Sequence, residues 1–116
     1  MPAQLRLWLP VAAWAAVIFA FSSVPGLTTG LGFWDEVLRK LAHVAEYAVL
    51  GALLVRAVGH AVPAFALGVA YAISDEIHQS FVEGRRGAPL DVLIDAAGVT
   101  AGVLAWQWLA ARRRPA

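Results

Sequence analysis

The sequence predicts an all-α polytopic membrane protein, a bundle of four transmembrane helices. Three observations predict it. First, 60% of the 116 residues are hydrophobic and only 15% are charged, against about 25% charged in ordinary globular domains. So short a chain does not need that much apolar area for one soluble core. Second, the apolar residues fall into four runs, Leu7 to Phe21, Val37 to Val55, Ala61 to Ile77 and Val92 to Ala111. Each is near the ~20 residues that a helix rising ~1.5 Å per residue needs to cross ~30 Å of hydrocarbon. Third, if the chain crosses alternately, all eight acidic residues fall toward one end of these runs. That end holds eight carboxylates and four cations, a formal −4, and the other end holds +5 with no carboxylate, together making the chain's +1.

Taken in order, the expected helices cover about 7–23, 36–57, 61–80 and 91–111, in a single domain over residues 1–116. Leu7 to Phe21 has no polar face, whereas a helix of a soluble bundle would show a broad one. Arg6 before this apolar core, with Ala20 and Ser22 placed like a cleavage site, also resembles a signal peptide. Ser22, Ser23, Pro25 and Gly26 equally read as a helix end followed by a turn. The second run opens on the rim charges Asp35 and Glu36 and carries Glu46 near its middle. The third ends in Ser74-Asp75-Glu76-Ile77-His78-Gln79, and a loop with Gly84, Arg85, Arg86 and Gly87 follows. The fourth starts at Asp91 and stops at Arg112 to Arg114. Trp8, Trp34, Trp106 and Trp108 lie near run ends, as interfacial aromatics do, while Trp14 lies deeper.

The flanking cations orient the chain. Five stand against four, and the Arg112 to Arg114 cluster is the plainest stop signal, so both termini are expected in the cytoplasm and the acidic end outside. The expected location is the cell membrane, crossed several times, with the lipid bilayer as principal partner. The same short basic cluster is too small for a nucleic-acid footprint, and nucleic-acid binding is not expected. The absence of cysteine excludes disulfide and thiol chemistry.

A charge near the bilayer centre costs on the order of 3 kcal/mol on insertion scales, so the deeper polar residues should face partners or a wet cavity. On the second helix Lys40, His43 and Tyr47 share one stripe, with Glu46 adjacent. On the third, Tyr71, Asp75 and His78 or Gln79 share a face, and Glu76 can lean toward Gln79. On the fourth, Asp91, Asp95, Gly98 and Gly102 line up. The step from Gly98 to Gly102 lets a neighbouring helix approach just beneath the two carboxylates. The competing account is helix-to-helix pairing alone, Glu46 with His43 or Arg39 and Asp75 with Lys40. Packing does not explain why the acids share one end. In the loop, Arg85 and Arg86 form either a solvated pair or a clamp for phosphate or carboxylate.

These stretches resemble a known family. Lys40, His43, Tyr47, Leu50 and Gly51 fit the K-x-x-H-x-x-x-Y-x-x-L-G signature of VanZ-like membrane proteins. Asp75, Glu76, Gln79, Phe81, Gly84 and Arg85 are similar to that family's D-E-x-x-Q-x-F-x-x-G-R, followed by Asp91 and the Asp95, Gly98, Gly102 pattern. Phe19 to Gly26 is similar to its I-F-x-x-S-S-x-P-G opening. Glu83 stands where members often carry proline, and Asp95 where asparagine is common. The resemblance implies an integral protein of the bacterial cell envelope. The family's founding member confers low-level resistance to teicoplanin, a lipid-bearing glycopeptide, so lowered susceptibility to such antibiotics is one expected outcome.

Three functions compete. In the first, an outward-facing polar pocket acts on an envelope lipid or lipid-linked cell-wall precursor. Lys40 and Arg85 would hold its anionic head group, Asp75 or Glu76 would serve as acid or base, and His43 would shuttle the proton. Gln79 would orient the substrate, while Glu46, Tyr47, Asp91 and Asp95 line the site. In the second, the pocket only binds such a group or docks an envelope protein. The third is a small transporter subunit. Against it, the acids reach one side only, and the apolar run from Val92 beyond Asp95 to Trp106 offers no continuation. Carboxylates with His43 or His78 could bind a hard or borderline ion, but with no H-E-x-x-H and no cysteine pair no metal is assigned. No cofactor is identified.

Overall fold

The computed structural model describes residues 2–23, 32–82 and 89–113. Four α-helices follow in order: α1 Ala3–Ser22, α2 Phe33–Val58, α3 Ala61–Gln79 and α4 Pro89–Arg112. Among the described residues there is no strand. Helices α1, α2 and α4 are long and apolar enough to cross a membrane. Helix α3, with 19 residues, is long enough but less apolar, ending in Asp75, Glu76, His78 and Gln79, and falls short of that mark.

Local chemistry explains the ends. Helix α2 terminates at Gly59, whose φ of 86° is the left-handed conformation that glycine adopts without strain. Pro89 opens α4, where a missing N–H costs nothing. Both α2 and α4 carry carboxylates in the first turn, Asp35 with Glu36 and Asp91, and an arginine in the last, Arg56 and Arg112. Each placement complements the helix dipole.

The two helices run parallel. A Cβ built on Gly98 would meet the Val44 carbonyl at 2.7 Å, and one on Gly102 would fall inside the Ala48 carbonyl. Stepping four residues along α4 therefore steps four along α2 in the same direction. Their acidic first turns share one end of the bundle and their arginines the other, so the charge asymmetry of the sequence is a property of this parallel pair. Helices α1 and α3 return in the opposite sense. Gly68 of α3 admits the Val99 side chain of α4.

The interior consists of Ile18, Tyr47, Leu50, Leu54, Val55, Ala64, Ala72, Val99 and Val103. Trp14 and Tyr71 pack against it, and the indole of Trp14 donates to the Glu46 carbonyl oxygen at 2.8 Å. The exterior is apolar as well. Leu9 and Phe19 on α1, Leu38 and Leu41 on α2, Phe65, Leu67 and Ile73 on α3, and Leu93 and Leu104 on α4 are all exposed. So continuous an apolar coat suits lipid and not water.

Candidate polar site between α2, α3 and α4

The C-terminal ends of α1 and α3 meet the N-terminal halves of α2 and α4, and the deep polar groups collect there. His43 and Asp95 form the first contact, Nδ1 to Oδ1 at 3.0 Å across the α2–α4 seam. Asp95 is 1% exposed. One turn farther along α2, the Tyr47 hydroxyl donates to Asp75 Oδ2 at 2.7 Å. Tyr47 is fully buried and Asp75 nearly so. The second oxygens, Asp75 Oδ1 and Asp95 Oδ2, are buried with no hydrogen-bond partner among the described residues. His43, Asp75 and Asp95 each direct one donor atom into a common space, all within 4.8 Å of one another.

A pocket opens above this cluster, lined by Arg39, Lys40, His43, Gln79, Asp91, Ile94 and Asp95. Arg39 and Lys40 both reach back to Glu36, the first at 2.5 Å and the second at 3.9 Å. All three are substantially exposed, so such pairs hold the cations loosely. On the α1 side, Gln79 Nε2 donates to Ser22 Oγ at 3.3 Å and Tyr71 donates its hydroxyl to the Ala15 carbonyl. His78 stacks on Phe19 with ring centroids 4.2 Å apart, and its Nε2 lies 3.3 Å from Ser23 Oγ.

Of the residues singled out from the sequence, Lys40, His43, Gln79, Asp91 and Asp95 line the pocket, and Tyr47 and Asp75 lie one turn deeper. Glu76 and Glu46 are half-buried beside them. Arg85 lies outside the described residues. Asp75 is held by Tyr47 and not by Lys40, and across the α2–α4 seam His43 meets Asp95. Arg39, Ile94 and Ser22 were missed as site residues. Arg39 had a signal, standing one turn before His43 on the same face. Ser22 had none, because its meeting with Gln79 depends on how α1 docks.

Two carboxylates and one imidazole make an electrostatically unbalanced core. Buried charges must be answered by partners, and one tyrosine hydroxyl and one imidazole leave two carboxylate oxygens unanswered. Such an arrangement can pass protons between His43 and Asp95, receive a cationic group between the carboxylates, and offer Arg39 and Lys40 to an anion at the pocket mouth.

Apolar helices enclosing a polar pocket at one end define the class: an integral membrane protein with a polar pocket between its helices. The chain belongs to the VanZ/LLP1 family, whose model matches residues 7–110, nearly its whole length. Neither the curated proteins nor the solved structures contain a match to it.

Proposed function

We propose that this VanZ-type membrane protein takes the polar head group of an envelope lipid or lipid-linked cell-wall precursor into the pocket between α2, α3 and α4. The observation that carries the reading is the layered site. Arg39 and Lys40 stand at the mouth, the His43–Asp95 contact below them, and the Tyr47–Asp75 pair deeper still. An amphiphile could leave its acyl chains against the apolar coat and place an anionic head group on the two cations. His43, Asp75 and Asp95 would then act on it from below, and Gln79 would orient it. Withdrawing or altering such a lipid would lower susceptibility to lipoglycopeptide antibiotics of the teicoplanin type. The exposed Phe65, Leu67 and Ile73 of α3 favour a fourth crossing beside the three long helices. With both termini in the cytoplasm, the pocket opens outward.

The test compares envelope lipids and wall precursors from cells producing the native chain, the Glu76→Gln chain and the Asp75→Asn chain at equal membrane levels. Catalysis predicts a product that appears only with the native chain. A noncatalytic pocket predicts retained lipid in the purified native protein, lost on Lys40→Ala, with unchanged cellular profiles. Identical profiles together with no co-purifying lipid would contradict the proposal.

A further inference from the structure

Beneath the pocket, His43, Asp75 and Asp95 come from three different helices, and their donor atoms lie within 4.8 Å of one another. Asp75 is 4% exposed and Asp95 is 1% exposed, and each keeps one oxygen, Oδ1 and Oδ2 respectively, without a hydrogen-bond partner among the described residues. We infer that these three residues form a binding site for one divalent transition-metal ion, of the Mn²⁺ or Zn²⁺ kind.

Charge is the first argument. Metal ligation takes carboxylates ionised and imidazole neutral, so the ligating set would carry −2, which a dication cancels. Taking an unpaired carboxylate out of water costs several kcal/mol. Ligand chemistry is the second. An imidazole nitrogen with two carboxylate oxygens suits borderline ions, and three protein ligands leave open positions facing the pocket, as catalytic sites have and closed structural sites do not.

Geometry is the third. The 3.0 Å between His43 Nδ1 and Asp95 Oδ1 matches the edge of roughly 3 Å between neighbouring ligands in an octahedron with ~2.1 Å metal–ligand bonds. Asp75 offers its ligand atom within 4.8 Å of the other two, so a side-chain adjustment would complete the set. The Tyr47 hydroxyl, 2.7 Å from Asp75 Oδ2, would orient that carboxylate from outside, as partners of metal ligands do.

The role of the ion rests on the head-group reading: its open positions would face a phosphate or pyrophosphate held by Arg39 and Lys40. Its binding does not depend on that reading. The experiment is metal analysis of the full chain, purified in detergent without chelator and dialysed against Mn²⁺ or Zn²⁺, beside Asp75→Asn, His43→Gln and the exposed-residue control Thr100→Ala. The result expected is about one tightly held ion per chain for the native protein and control, and at least a tenfold loss of affinity in both site variants. Native protein stripped with chelator and reloaded with Mn²⁺ should show the broadened electron-paramagnetic signal of a bound ion, so the site can be judged even if a variant fails to fold. Native protein that neither retains nor reloads an ion, or variants that bind as the native does, would overturn the inference. Metal bound with neither a change in cellular lipids nor a co-purifying lipid would leave the site standing and contradict the head-group proposal. Altered lipids with no ion would do the reverse.

Discussion

A carboxylate in the middle of an apolar bundle persists only where something answers it, and at Asp75 that partner is Tyr47. Its hydroxyl donates to this buried side chain at 2.7 Å. Tyr47→Phe removes it while keeping the ring that packs against Tyr71. Leaving a buried acceptor unpaired costs about 1–3 kcal/mol, and unfolding of the purified protein in detergent should show a loss of that size. If Tyr47→Phe unfolded like the native chain, this bond would not be a support of the site. Asp95 answers differently. Its partner is the ring of His43, from the facing helix, so His43→Leu should destabilise the chain by about 1–3 kcal/mol as well, read in the same assay. The two losses should not simply add, because both carboxylates face one space.

At the scale of the helices, the parallel α2–α4 contact determines whether the site exists. It depends on three glycines that let the backbones touch: Gly98 against Val44 and Gly102 against Ala48 from α4, and Gly51 against Val99 from α2. A methyl group at Gly102 has no room, since the obstacle is backbone and not the far end of a flexible side chain. Gly102→Ala should therefore push α4 from α2, lower stability by about 1–3 kcal/mol, and separate His43 from Asp95. Exposed Leu104→Ala, two residues on, should leave both unchanged. The measurement is unfolding in detergent together with the metal or lipid retained, and full retention by Gly102→Ala would refute the close contact. This element was legible in advance, because Gly98 and Gly102 continue the stripe of Asp91 and Asp95 two turns on and declare a packing face under two carboxylates. The partner was not legible. No local pattern says that α2, and not α3, fills the groove, or that Val44 and Ala48 are the residues that do so.

The whole molecule repeats that division. Four apolar runs and the pooling of carboxylates at one end are visible in residue order, because helix length and charge cost act locally. Parallel α2 and α4 give the pooling its cause: both helices begin with acids and end with arginines at matching ends of the bundle. The pairings inside the site depend on docking. His43 lies 52 residues from Asp95 and Tyr47 lies 28 from Asp75, and sequence spacing across such intervals carries no distance. The same reason hid the three-residue cluster, which has no motif because each helix supplies one member. Arg39 is the exception, a miss that helical spacing from His43 could have prevented.

The central claim is that polar groups from different helices face one hollow at a single end of the bundle. The chain contains no cysteine, so single cysteines report without background. Cysteines at Asp91 and Ile94 in the pocket, at Leu93 on the exposed apolar face, and at Arg56 and Arg112 at the opposite end should be tested in sealed cells with a membrane-impermeant thiol reagent. The account predicts that Asp91 and Ile94 react from outside, that Arg56 and Arg112 react only after the membrane is opened, and that Leu93 reacts poorly from either side. Labelling of Asp91 and Arg112 from the same face, or of Leu93 in preference to Ile94, would contradict it.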